Sequence, residues 1–205
     1  MNSTVILANG LFPTSKKCLD ILNNADFIIS CDGATHKLIA AGYEPNIIIG
    51  DLDSLADNIR EKYADIIHHI PDQSTNDLTK AVMWATENDH NNISILGATG
   101  LREDHSIGNF FLLTLYAEWC NINMVTDYGT VYNLSDSLTF NTKPKQQISI
   151  FTTHPDTRVT TKGLKYTLNN QTIPMPWQGT LNEAEANTIT ITTNKPGVLI
   201  YILDK

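Results

Sequence analysis

Short apolar runs set between mixed stretches organise the first part of the chain. Thr4–Ala8, Asp26–Cys31, Asn46–Gly50, Asp65–His69, Ile93–Leu96 and Ile122–Thr126 are rich in β-branched residues and nearly continuous in apolar character. That pattern predicts strands buried on both faces. The intervening segments read as helices. Ser15–Asn24 carries Cys18, Leu19 and Leu22. Thr75–Asn88 places Leu78, Ala81, Val82 and Ala85 on one helical face. Asp104–Trp119, rich in Phe and Leu, is a further helix. Strand and helix in alternation predict an α/β domain with a six-stranded, mainly parallel sheet.

Past Tyr128 the periodicity changes. Val131–Leu134, Ser137–Phe140, Gln147–Phe151, Thr157–Thr160, Leu164–Leu168, Thr188–Thr193 and Val198–Leu203 are short alternating runs rich in Thr. Turns are marked by Lys143-Pro144, Asn169-Asn170 and Pro196-Gly197. An all-β sandwich over 129–205 is expected to follow an α/β domain over 1–128.

Composition narrows the possible partners. Of 205 residues, 41% are hydrophobic and 18% charged, so there is material for a core and no sign of a disordered chain. The excess of 22 acids over 14 bases, net −8, argues against a nucleic-acid or anionic-membrane binder. A phosphorylated substrate stays compatible if a metal cation stands between acids and phosphates. No run approaches the ~20 apolar residues of a spanning helix. Met1-Asn2-Ser3-Thr4 lacks a basic segment, which predicts no secretory leader. Cys18, Cys31 and Cys120 form no CxxC pair, as suits core residues in a reducing cytoplasm.

In open parallel sheets ligands bind beyond the carboxyl ends of the strands. The residues following the first five strands are Asn9-Gly10-Leu11-Phe12-Pro13, Asp32-Gly33-Ala34, Gly50-Asp51-Leu52-Asp53-Ser54, Pro71 through Asp77, and Gly97 through His105. Acids fall at four of these five exits. In extended backbone Asp51 and Asp53 point the same way, which suits a hard cation such as Mg²⁺. The same pair equally fits a polar turn in which Asp53 or Ser54 caps the next helix. Asp72 and Asp77 flank a loop opening a helix that Ser74 or Thr75 would cap. Asp77 with Lys80 reads either as an i, i+3 pair or as a metal ligand beside a phosphate-facing helix end. Gly97-Ala98-Thr99-Gly100 with Arg102 would let backbone N–H groups and a bidentate guanidinium meet a phosphate, although it is neither a Walker A loop nor GxGxxG. Asp104 fits an N-cap as well as a site acid. The histidines show no metal-ligand spacing, and no GxSxG is present.

Taken together these motifs resemble the thiamine pyrophosphokinase family over essentially the whole chain. The likeness is carried by Asn9-Gly10 with Pro13, Asp32-Gly33-Ala34, Gly50-Asp51-Leu52-Asp53-Ser54, Asp72-Gln73 with Asp77 and Lys80-Ala81, and Gly97 with Arg102-Glu103-Asp104-His105. In the second module Gly163-Leu164-Lys165-Tyr166-Thr167-Leu168 and Gly179-Thr180-Leu181-Asn182-Glu183 look like the family's substrate-domain motifs. The resemblance implies transfer of the pyrophosphoryl group of ATP to the hydroxyl of thiamine, giving thiamine diphosphate and AMP. It also implies a homodimer with the site between subunits.

By resemblance, Asp51, Asp53 and Asp77 would hold Mg²⁺, with Asp32 and Asp104 lining the same pocket. Ser54, Gln73, Asn76 and Lys80 would lie on the ATP side, and Arg102 on the phosphate chain. Tyr166 and Asn182 are the candidates for thiamine, which wants an aromatic face and amide hydrogen bonds; Trp177 is a looser one. Three positions depart from the family pattern. Asn76 stands for the usual Thr. Leu101 stands for a common Gly and reduces backbone freedom. Leu181 stands for Ser and removes a hydroxyl from the thiamine pocket. A metal-dependent phosphohydrolase or nucleotidyl-sugar transferase would use the same acids but leaves the second module's motifs unexplained. A non-catalytic binding protein would reduce the acids to caps and turns.

Overall fold

In the computed structural model, residues 3–204 are described; Met1 and Asn2, part of the N-terminus read above, and Lys205 lie outside them. The chain divides into two units, Met1–Asp127 and Tyr128–Lys205.

The first unit runs β1 (Thr4–Leu7), α1 (Lys16–Asn23), β2 (Phe27–Cys31), α2 (Ala34–Ala40), β3 (Ile47–Gly50), α3 (Asp57–Lys62), β4 (Ile67–His69), α4 (Asp77–Glu87), β5 (Asn92–Leu96), α5 (Glu103–Tyr116) and β6 (Asn121–Val125). Its strands pair in parallel, in the order β6-β5-β1-β2-β3-β4. The apolar runs of β1, β2 and β3 are buried on both faces, as their composition requires, whereas β4 at the end of the strand order leaves His68 and His69 exposed. Val5 and Leu7 pack with Cys18, Leu22, Ala34 and Leu38 of α1 and α2. Ile6 and Ile29 are fully buried, and α4 packs on β1, β2 and β3. The strand order reverses after β4, which places β5 on the other side of β1. The switch point therefore lies between β1 and β5, where such sheets open a crevice.

The second unit runs β7 (Gly129–Leu134), β8 (Ser137–Asn141), β9 (Gln147–Thr152), β10 (Arg158–Lys162), β11 (Gln171–Thr172), β12 (Asn182–Glu183), β13 (Thr188–Thr193) and β14 (Val198–Leu203). Antiparallel β12-β9-β14-β7 and β11-β10-β13-β8 form two layers. Ile148, Ile150 and Ile200 from one layer meet Val159, Ile189 and Ile191 from the other in a shared core.

Two expectations are corrected. The sheet is not six-stranded and mainly parallel: ten strands of mixed sense make it up. Alternating apolar residues specify which face of a strand is buried but not where a sheet ends. Leu164–Leu168 is not a strand. Leu164 makes only an isolated bridge with Ala184, and the segment bends as the Leu168 N–H turns to the Thr161 hydroxyl.

Candidate functional site

The site is built from strand exits of the first unit. Asp32 follows β2, and its N–H donates to the Ile49 carbonyl of β3 at 2.9 Å, so the strand ladder carries it to the sheet edge. Asp51 and Asp53 follow β3. Carboxylate oxygens of Asp32, Asp51 and Asp53 lie within 4.8 Å of one another.

The two Asp residues after β3 do not converge through extended backbone, as their spacing suggests. Leu52 between them has φ +68°, a left-handed conformation that a leucine rarely adopts. Its side chain is 7% exposed and packs with Leu55, Ile59 and Tyr63, which anchors the strained residue. The turn sends the Asp53 N–H back to Asp51 Oδ1 at 3.3 Å.

Asp32 is 3% exposed. The Ser54 N–H donates to its Oδ2 at 3.1 Å, while Oδ1 is buried with no hydrogen-bond partner among the described residues. Burial, opposed by the Ser54 hydrogen bond and reinforced by the charges of Asp77 and Asp53, pushes its pKa up to about 6. Asp51 is held below the ordinary carboxylate range, chiefly by Gln73, whose Nε2 donates to Oδ2 at 2.7 Å. The Ser54 hydroxyl donates to Asp53 Oδ1 at 2.9 Å.

Asp77 opens α4. The cap is Asn76, not Ser74 or Thr75: its Oδ1 accepts from the Thr79 N–H and the Thr79 hydroxyl, both at 2.8 Å. Ser74 instead donates through N–H and hydroxyl to Asp72 in a local turn. Asp77 Oδ1 accepts from Lys80 Nζ at 3.0 Å. Gly50 makes room for this carboxylate: a Cβ there would lie 2.7 Å from Asp32 Cβ and 3.2 Å from Asp77 Cγ.

The switch-point crevice holds a cavity of about 310 Å³, lined in part by Asn9, Gly10, Asp77, Thr99, Arg102 and Asn109. At its β1 side Gly10 lies so close to the next loop that a Cβ would fall 2.4 Å from the Gly97 carbonyl oxygen. Arg102 rather than Asp104 is the N-cap residue of α5, and its capping is not by side chain. Its guanidinium grips Asp104, Nε to Oδ1 at 3.1 Å and Nη2 to Oδ2 at 2.6 Å. That grip holds Asp104 down at a pKa of about 2.

Two residues were not legible in advance. Lys37 Nζ donates to the Asn9 carbonyl, Asn9 Oδ1 and the Gly10 carbonyl at 3.1, 2.8 and 2.7 Å, fixing the loop after β1. His36 Nε2 accepts from the Ala56 N–H at 3.3 Å and so braces the loop after Asp53. That loop's helix, α3, has Ala56 as N-cap, so neither Asp53 nor Ser54 caps it. Nothing in the spacing of a lysine or a histidine on a short helix announces such bonds to distant loops.

In the second unit the Tyr166 N–H donates to Asn182 Oδ1 at 3.0 Å and Asn182 Nδ2 donates to the Tyr166 carbonyl at 2.8 Å. Asn182 is buried, and the Tyr166 ring stands 62% exposed. Trp177 is also exposed. Leu181 takes a left-handed φ of +58°.

An acid-lined edge of a doubly wound sheet, beside a helix N-terminus and a crevice, is an arrangement that suits a phosphate-bearing ligand accompanied by a cation. Known proteins make the class specific. Residues 18–125 match the thiamin pyrophosphokinase catalytic domain, and residues 129–201 the thiamin pyrophosphokinase substrate-binding domain. The chain therefore belongs to the thiamin pyrophosphokinase family. It is 31% identical over 173 residues to thiamine pyrophosphokinase 3 of Oryza sativa subsp. japonica, covering 74% of this chain and 64% of that one. To thiamin pyrophosphokinase 1 of Caenorhabditis elegans it is 29% identical over 173 residues, covering 76% and 70%. The chain thus spans just under two thirds of the rice relative's length. The crystal structure of thiamine pyrophosphokinase from Bacillus subtilis superposes with a TM-score of 0.82 at 26% identity, covering 98% of each chain.

Proposed function

We propose that this chain transfers the intact pyrophosphoryl group of ATP to the hydroxyl oxygen of thiamine, giving thiamine diphosphate and AMP, with Mg²⁺ as the cation. The family match supplies the reaction. The observation that carries its location is the partnerless, buried Asp32 Oδ1 within the Asp32, Asp51 and Asp53 cluster. A buried carboxylate oxygen without a donor is costly, and a hard cation with oxygen ligands satisfies it. The donor set therefore fits Mg²⁺.

Asp32, Asp51 and Asp53 would hold the ion, with Asp77 beside them; when bound it supplies neutralisation of the phosphate chain. The protein's own part is placement, since phosphoryl transfer asks for alignment and charge compensation more than covalent chemistry. Gln73 and Ser54 orient the acids. Arg102 stands at the cavity with a guanidinium able to exchange Asp104 for a phosphate. Asn76 sets the α4 N-terminus, and its N–H groups, toward the cavity. On the thiamine side, Asn182 holds the Tyr166 loop so that the ring offers an aromatic face to a thiazolium cation, with Trp177 as a second exposed aromatic surface.

We place the enzyme in the cytoplasm as a homodimer, with the site completed by a second subunit. The cysteine usage supports the compartment, and the family resemblance supports the dimer. Among the described residues no helix is long and apolar enough to cross a membrane.

The test is Asp53→Asn. Turnover of ATP with thiamine is expected to vanish while the melting temperature stays near that of the parent. Near-normal turnover in a normally folded variant would refute the placement.

A further inference from the structure

Lysine is rarely buried without a partner, and Lys80 is 3% exposed. It stands one helical turn after Asp77, on α4, which packs on β2 and β3. Among the described residues its ammonium has one partner, Asp77 Oδ1 at 3.0 Å. Gly50 bounds the same carboxylate on the sheet side, where a Cβ would come within 3.3 Å of that oxygen. Oδ1 is thus engaged by a buried cation, and Oδ2 is the oxygen Asp77 has left to offer. The ammonium is also felt beyond this pair. After the Gln73 hydrogen bond on Asp51 and the Ser74 hydrogen bonds on Asp72, the charge of Lys80 adds to the lowering of both carboxyl groups. A buried ammonium tied in this way cannot swing to a phosphate without stranding a charge on Asp77.

We propose that Lys80 is a positioning residue acting through Asp77: it fixes one oxygen of Asp77 and supplies the positive charge that keeps the acid cluster assembled while no divalent cation is bound. In what it says of turnover this rests on the reaction proposed above; in what it says of the ion-free protein it does not.

The experiment is a thermal double-mutant cycle in EDTA with the full chain: parent, Lys80→Met, Asp77→Asn, and the double variant. Each single change is expected to lower the melting temperature, Asp77→Asn by roughly 10 °C because it strands the buried ammonium, and Lys80→Met by roughly 5 °C because it strands the half-buried Asp77 carboxylate among the other acids. The double variant is expected to melt no lower than either single. Additive losses would overturn the proposal. Should Lys80→Met fail to fold, a folded double variant supports it and an unfolded one overturns it. Added Mn²⁺ is expected to raise the melting temperature of Lys80→Met by several degrees more than that of the parent, since the ion replaces the missing charge; an equal rise counts against it. In turnover, kcat is expected to fall about 100-fold with KM for ATP nearly unchanged. A KM raised more than about tenfold, with kcat and the ion-free melting temperature intact, is the signature of a phosphate contact and overturns the assignment. A parent chain without turnover would count against the reaction and leave the thermal cycle standing.

Discussion

The backbone N–H of Ser54 satisfies one oxygen of Asp32 at 3.1 Å and leaves the other buried with no hydrogen-bond partner among the described residues. This pairing joins the exit of β2 to the exit of β3, and it makes Asp32 the carboxylate most in need of a cation. In the ion-free protein its pKa is pushed up to about 6, burial being the first cause. A carboxyl whose folded pKa lies above its unfolded value of ~3.9 binds more protons when folded. Its contribution to stability is full below pH ~4 and is lost as pH rises through about 6. In EDTA the parent is therefore expected to lose melting temperature between pH 4 and pH 6.5 relative to Asp32→Asn, and Mg²⁺ to remove the difference. Parallel pH profiles for the two proteins would show that Asp32 carries no such burden.

Arg102 and Asp104 form a two-point ion pair that is largely exposed. Exposed pairs add little to folding. Arg102→Ala is expected to leave the melting temperature unchanged within about 2 °C while raising KM for ATP roughly tenfold. Because Asp104 titrates near 2, the pair stays intact at any pH above about 4, and activity is not expected to follow its protonation.

Helix α4 depends on Asn76. Removing an N-cap side chain costs about 1 kcal/mol, so Asn76→Ala is expected to lower the melting temperature by about 3 °C. Asn76→Thr restores a capping oxygen and is expected to recover most of the loss. Equal melting of the Ala and Thr variants would show that the cap bonds to Thr79 do not stabilise the helix.

Leu52 and Leu55 lie in the same core cluster, but only Leu52 has a positive φ. β-Branched residues tolerate that conformation worst. Leu55→Ile is expected to cost about 1 kcal/mol, as a swap of equal volume does, and Leu52→Ile about 2 kcal/mol or more. Similar unfolding free energies in urea would mean that the turn between Asp51 and Asp53 relaxes without strain.

Much of this architecture was readable from the residue pattern, and the failures have physical causes. The apolar runs from Thr4 to Val125 located the six parallel strands; burial on both faces leaves few polar positions in the central ones, while the edge strand β4 offers only Ile67 ahead of the exposed His68 and His69. The strand-exit rule then brought Asp32, Asp51 and Asp53 to one edge. The turn at Leu52 was not legible, because leucine carries no signal for a left-handed backbone and only tertiary packing imposes it. Ser74 and Thr75 read as the cap of α4 because hydroxyl residues favour that position, but the turn on Asp72 engages Ser74 and the cap falls to Asn76. The two-point grip of Arg102 on Asp104 is a choice of rotamer, and no spacing rule specifies one.

On the substrate side, Tyr166→Ala is expected to raise KM for thiamine roughly tenfold with no change in melting. Asn182→Ala loses both bonds to the Tyr166 backbone and is expected to raise the same KM while destabilising the fold by about 2 kcal/mol. Thiamine kinetics unaffected by either change would move the substrate face elsewhere.

The most direct measurement is mass-spectrometric identification of the products formed from ATP and thiamine with Mg²⁺, alongside a sample with EDTA. Thiamine diphosphate and AMP in equal amounts, absent with EDTA and absent without thiamine, are the predicted result. ADP as the nucleotide product, phosphate release without thiamine, or turnover that survives EDTA would contradict the account.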